Sequence, residues 1–119
     1  MPHLTVEYSR NLAGFPEAQV LTELNQTITA SPEIADEADL KSRCVVLDSY
    51  AVGTAPAQRA FVHAQLRLLA GRTPEAKQDF SERIAVVLRR LTPRPTGMLV
   101  QLSVEIVDMD RPSYIKERL

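Results

Sequence analysis

A four-residue phrase occurs twice in this chain. Pro16-Glu17-Ala18-Gln19 returns as Pro74-Glu75-Ala76-Lys77, an offset of 58 (74 − 16). The same offset carries Leu4 to Val62 and Leu40 to Met98, each the start of a strand-like run. Alternation of apolar and polar residues marks a half-buried strand, and apolar residues three and four apart mark a helix. Each half therefore reads strand, helix, strand. Right-handed crossovers put both helices on the same side of a sheet. The repeat predicts an α+β fold in which two tandem β-α-β units form a four-stranded sheet with two helices on one face. With 119 residues the chain can build one core. It reads as a single domain over 1–119, with pseudo-repeats at about 1–58 and 59–107 and a tail over 108–119.

The segments follow in order. Leu4, Val6 and Tyr8 alternate with His3, Thr5 and Glu7, which predicts a strand directly after Pro2. Pro16-Glu17 opens a helix with an apolar stripe of Val20, Leu21, Leu24 and Ile28, ending before Pro32. The acidic stretch Pro32–Asp39 reads as an exposed connection, Leu40–Asp48 as the second strand and Ser49–Arg59 as a loop. Phe61–Leu69 is the third strand. Thr73 can cap a helix starting at Pro74, whose buried stripe is Phe80, Ile84, Val87, Leu88 and Leu91. Met98–Val107 is the fourth strand, followed by a polar tail with an embedded Tyr114-Ile115 pair. The sheet face away from the helices needs cover of its own. Val45, Leu47, Leu69 and Leu99 are candidates for apolar surface there, which points to self-association with pockets between subunits.

Charge excludes some partners. A formal net charge of −1 gives no footprint for nucleic acid or an anionic membrane. No run approaches the ~20 apolar residues of a membrane span. The first residues alternate in polarity and do not resemble a signal peptide. One cysteine, Cys44, fits a reducing cytoplasm and reads as a buried structural thiol. Two histidines, one cysteine and no clustered spacing leave no transition-metal site to expect.

Chemistry concentrates at the amino terminus. Met1 precedes Pro2, and a small second residue generally permits removal of the initiator methionine. The exposed proline nitrogen would be a secondary amine. An α-amino group titrates near pH ~8, and burial or nearby cations lower that value toward neutrality. Such a group is a base poised at working pH. An unexceptional Met-Pro start is the competing reading. Lys41 and Arg43, two apart on a strand, share a face and could hold carboxylates or stabilise enolate charge. A solvated strand end is the alternative. Arg72 lies in a glycine-containing turn before a helix start, a setting suited to an anion or to an ordinary exposed loop. His3 and Tyr50 are candidate pocket walls, and His63 reads as a hydrogen-bonded sheet residue.

Taken together, Met1-Pro2-His3, Val6-Glu7, Ser42-Arg43, Ala60-Phe61-Val62-His63, Ala70-Gly71-Arg72 and Leu102-Ser103-Val104-Glu105-Ile106 resemble the 5-carboxymethyl-2-hydroxymuconate isomerase family of the tautomerase superfamily. The resemblance runs from the first residue to the fourth strand. It implies a tautomerase-like homotrimer that uses no cofactor and acts on a small polycarboxylate from aromatic catabolism. In that family the terminal proline moves a proton from a 2-hydroxy dienol to a distant carbon, leaving a 2-oxo alkenoate. Here Pro2 would take that role, and Arg43, Arg72 and Lys41 would line the pocket. Lys41 stands where the family can carry arginine; an ammonium cannot make the planar two-point contact of a guanidinium. Two alternatives stay open on these residues: a tautomerase of another small oxo acid, and a non-catalytic oligomeric binding module on the same scaffold.

Overall fold

The computed structural model describes residues 1–119. Its strands are β1 (His3–Ser9), β2 (Lys41–Leu47), β3 (Arg59–Leu69) and β4 (Leu99–Met109), and its helices are α1 (Glu17–Thr29) and α2 (Pro74–Leu91). They form a four-stranded sheet in the order β2-β1-β3-β4. β1 runs parallel to β2, β3 runs parallel to β4, and the central pair β1–β3 is antiparallel. Both β-α-β units expected from the repeat are present.

The register explains the repeat. Val6 pairs with Ala64 across the central strands, and those residues are themselves 58 apart. A pseudo-twofold axis therefore passes through that pair and exchanges the units. The symmetry loosens toward the edges. Lys41 faces His3, 38 residues on, whereas Leu99 faces Arg59, 40 residues on. A two-residue step keeps every side chain on its proper face.

One face of the sheet carries the core. Leu4 and Val6 of β1, with Val62, Ala64, Leu66 and Leu68 of β3, pack against Val20, Leu24 and Ile28 of α1 and Phe80, Ile84 and Leu88 of α2, all fully buried. Burying each large apolar side chain contributes about 1.5–3 kcal/mol before entropy is counted. The helix ends follow their sequence signals. Thr73 Oγ1 accepts from the Ala76 N–H at 3.1 Å, and Arg89 and Arg90 lie in the last turn of α2, where cations complement the dipole. α1 has no side-chain cap; Tyr8 instead donates its hydroxyl to Glu17 in the first turn, and its ring stacks on Phe15 at 4.1 Å.

The opposite face is open and mostly polar. His63 lies there between Ser103 and Glu105, at 2.7 Å from each. A carboxylate only accepts, so His63 Nε2 donates to Glu105 and, in the neutral ring, Nδ1 accepts the Ser103 hydroxyl. Val45 and Leu99, on the two edge strands, are exposed apolar residues on this face.

Several boundaries differ from the sequence reading: β3 begins at Arg59 rather than Phe61, β2 is one residue shorter at each end, and β4 starts at Leu99. Asp108 and Met109 extend β4, because Met109 O accepts the Ala70 N–H and the ladder with β3 runs to Leu69. The stretch 32–39 is not simply an exposed connection. It holds a 3-10 turn over Glu37–Asp39, capped by Asp36 Oδ1 accepting from the Ala38 N–H, and the Asp39 side chain is largely covered. No helix is long and apolar enough to cross a membrane.

Candidate active site

The first turn of chain places Pro2 at one end of the sheet. Pro2 shares the parity of Leu4 and Val6, so its ring is buried on the helix side. Its carbonyl accepts the Lys41 N–H at 3.1 Å, which continues the β1–β2 ladder to the chain end. A cavity of about 140 Å³ is lined by Met1, Pro2, Glu33, Ile34, Asp39 and Arg72.

Arg72 reaches that cavity from the turn after β3. Gly71 just before it has φ +122°, a conformation that glycine adopts without strain. The Arg72 side chain is 12% exposed. Its Nη1 donates to Leu69 O at 2.9 Å, and its Nε is buried without a hydrogen bond. The Glu33 carboxylate lies 3.7 Å from Nε, close enough for charge attraction but too far for a hydrogen bond. A buried guanidinium with a free donor beside Pro2 is equipped to receive a carboxylate.

The terminal amine lies one residue out. The Met1 N–H and the Lys41 ammonium both donate to Asp39 O, at 3.2 and 2.6 Å. Burial, with Lys41 and then Lys116 close by, lowers the amine from 8.0 to about 5. With Met1 in place the Pro2 nitrogen is an amide.

Arg43 extends the cationic region across the open face. Its Nη2 lies 3.0 Å from His3 Nδ1, while His3 Nε2 lies 2.9 Å from the Tyr114 hydroxyl. A guanidinium only donates, so Nδ1 accepts and Nε2–H donates to Tyr114. Burial, followed by Lys41 and Arg43, lowers the His3 pKa and keeps the ring neutral. His3, Lys41, Asp39 and the tail from Tyr114 to Arg118 line a second cavity of about 460 Å³. Asp39 belongs to both cavities, so Pro2 with Arg72, and Lys41 with His3, lie on either side of one residue.

The structure thus brings together Pro2 and Arg72, sets Lys41 at the terminal amine, and places Arg43 one contact farther along through His3. Tyr50 lies at the other end of the sheet, its ring edge-on to Phe61 with centroids 6.3 Å apart, in a separate cavity. Cys44 is half-buried in β2, and burial pushes its thiol up to about 11, which leaves little thiolate.

Sequence reasoning missed Asp39 and the tail. Lys116 and Arg118 hold the Asp39 carboxyl down to about 2, and Arg118 also reaches Asp36 at 2.7 Å. The available signal was the match of charge between the acidic stretch 33–39 and the basic tail 111–118.

The comparisons agree with this architecture. A family model described as 5-carboxymethyl-2-hydroxymuconate isomerase matches residues 2–118. A 5-carboxymethyl-2-hydroxymuconate isomerase from Deinococcus radiodurans R1 is 30% identical over 99% of this chain and 90% of its own, with a TM-score of 0.84. A second structure, a 5-carboxymethyl-2-hydroxymuconate delta-isomerase, superposes at 0.80 with 20% identity over 100% and 87% of the two chains. A fused 4-OT symmetric trimer superposes at 0.65 with 20% identity over 98% and 94%. No curated protein matches the chain.

Proposed function

The chain belongs to the 5-carboxymethyl-2-hydroxymuconate isomerase family and is an isomerase of tautomerase type, and we propose that Pro2 is its proton-transfer base. In this reading Met1 is removed, and the Pro2 nitrogen becomes a secondary amine in surroundings that disfavour its protonation. The neutral amine takes the hydroxyl proton of a 2-hydroxymuconate-like dienol acid. The oxygen electron pair forms the C2 carbonyl, the double bonds shift along the chain, and the same proton returns to the remote carbon. The product is the 2-oxo alkenoate, and no proton is gained or lost overall.

One observation carries this reading: Pro2 and Arg72 share a cavity at the sheet end where a terminal amine is already lowered to about 5. Arg72 would hold one substrate carboxylate through its unused Nε–H, with Lys41 and Arg43 holding charge on the far side of Asp39. A cavity of about 140 Å³ is small beside the ~300–1,000 Å³ of ordinary ligand sites. Met1 forms part of its wall, so trimming would free the amine and enlarge the site in one step. A homotrimer belongs to the same reading. The exposed Val45 and Leu99 on the two edge strands support it, and the fused 4-OT relative has that assembly. We further read the chain as cytoplasmic, with Cys44 kept as a thiol.

The test is Pro2→Ala, checked by intact mass for loss of Met1. The fold should survive, while kcat/KM for the dienol acid falls by about 10²–10⁴-fold, the range that acid–base groups supply. Unchanged turnover would remove Pro2 from the mechanism. A second reading, tautomerisation of a different small oxo acid, is favoured by Lys41, whose ammonium is engaged with Asp39 O and offers no fork. Comparing kcat/KM across mono-, di- and tricarboxylate enols separates the two.

A further inference from the structure

The pseudo-twofold axis that relates β1 to β3 carries Pro2 onto Ala60 and Met1 onto Arg59. At that second end there is a cavity of about 550 Å³, within the size range of small-molecule sites. Its walls are the loop from Tyr50 to Gln58, the start of β3 and Met98. Arg59 is the only charged residue lining it, and no carboxylate does. The half-buried Arg59 guanidinium donates from Nη1 to Val52 O at 3.1 Å and keeps its other N–H groups free of any ion pair. A cation turned into a concave, partly apolar wall without a counter-charge invites an anion, since the desolvated guanidinium has donors to satisfy.

The position of the guanidinium is held from two sides. Asn11 Nδ2 donates to Arg59 O at 2.8 Å and fixes the backbone. Gly53, at φ +68°, passes so close that a Cβ there would lie 2.5 Å from Arg59 Nη1. A glycine is therefore required for the side chain to occupy this place. Ala51, Val52, Ala55 and Met98 supply apolar surface around it.

We propose that this cavity is a second ligand site, distinct from the Pro2 site, which binds a small carboxylate with a short apolar chain. The carboxylate sits on Arg59 and the chain lies along the alanine- and methionine-lined wall. With Ala60 in place of Pro2, this site holds no amine base, so it binds without catalysing proton transfer.

The experiment is a titration of ¹⁵N-labelled full-length protein with sodium pentanoate, followed by amide spectra, with 1-pentanol as the uncharged control. Pentanoate should shift the signals of Gly53, Gln58 and Asn11 saturably, and the same shifts should persist in Pro2→Ala. Arg59→Gln should weaken them at least about tenfold, the effect of losing a charged hydrogen bond. Gly53→Ala, which keeps the charge but displaces the guanidinium, should weaken them as well. Shifts confined to the neighbourhood of Pro2, equal affinity in Arg59→Gln, or equal shifts with 1-pentanol would overturn the proposal.

Discussion

The two ends of the sheet share a backbone frame and differ in what the frame presents. At the Pro2 end, cations arrive from β2 (Lys41), from the turn after β3 (Arg72) and from the tail (Lys116), around a chain terminus and a cavity of about 140 Å³. At the Arg59 end the chain runs through without a terminus, and a single cation, Arg59, lines a cavity of about 550 Å³. A repeated β-α-β unit duplicates strands, helices and core, but a chain has only one amino terminus. Proton-transfer chemistry based on a terminal amine can therefore be built at one end only. The other end keeps the concave shape and is free to acquire a different polar group.

The sharpest way to break this comparison is Pro2→Ala. Its expected 10²–10⁴-fold loss has no counterpart at the second end, where the equivalent residue is already Ala60. Next comes Arg72→Gln. A glutamine side chain keeps an amide donor but carries no charge for a substrate carboxylate. Loss of a charge-assisted contact, about 1.5–3 kcal/mol, corresponds to a roughly 10–100-fold lower kcat/KM. Equal kinetics in this variant would separate Arg72 from the site and leave it as a brace for the turn.

A pH effect sharpens the comparison further. The Met1-bearing chain has an amine at about 5 when folded against 8.0 for the ordinary value. Between those values the unfolded chain binds a proton that the folded chain does not. The stability contribution is thus complete above pH 8 and is lost as pH falls toward 5. Lys41→Gln removes a cation that opposes protonation, so the folded pKa rises and less stability is lost over that window. Urea midpoints at pH 8.5 and 5.5 measure this difference directly. In the trimmed enzyme the same substitution should move the acid limb of kcat/KM to higher pH. A limb that stays in place would show that burial, rather than Lys41, sets the amine.

How much of this was legible beforehand depended on the range of the interaction. The strands were readable because alternation is local, and the axis was readable because the offset of 58 reappears as the Val6–Ala64 pair. Pro2, Arg72, Lys41 and Arg43 stood out as residue types suited to the chemistry. Their division by Asp39 was not readable, since it depends on how the 3-10 turn at Glu37–Asp39 meets a tail 77 residues away. Tyr50 was expected as a wall of the Pro2 pocket, and it lines the cavity at the Arg59 end instead. A loop's composition does not say which end of a sheet it covers.

The smallest effect concerns the tail, which closes the Pro2 end and has no equivalent at the other. Tyr114 accepts from His3 Nε2–H at 2.9 Å, and its ring meets His3 edge-on at 6.1 Å. Tyr114→Phe keeps the ring contact and removes only the hydroxyl. The freed His3 N–H is half-exposed and can turn to water, so the cost belongs at about 0.5–1.5 kcal/mol. Lys116 and Arg118 still tie the tail to Asp39 and Asp36, though ion pairs reached by solvent hold only weakly. Loss of the hydroxyl should therefore loosen the segment without detaching it. Hydrogen exchange would read this as severalfold faster exchange across residues 111–118, with β1 and β3 unchanged. Unaltered exchange would mean that the ion pairs alone hold the tail, and faster exchange in β1 would mean that the tail braces the strand that carries Pro2.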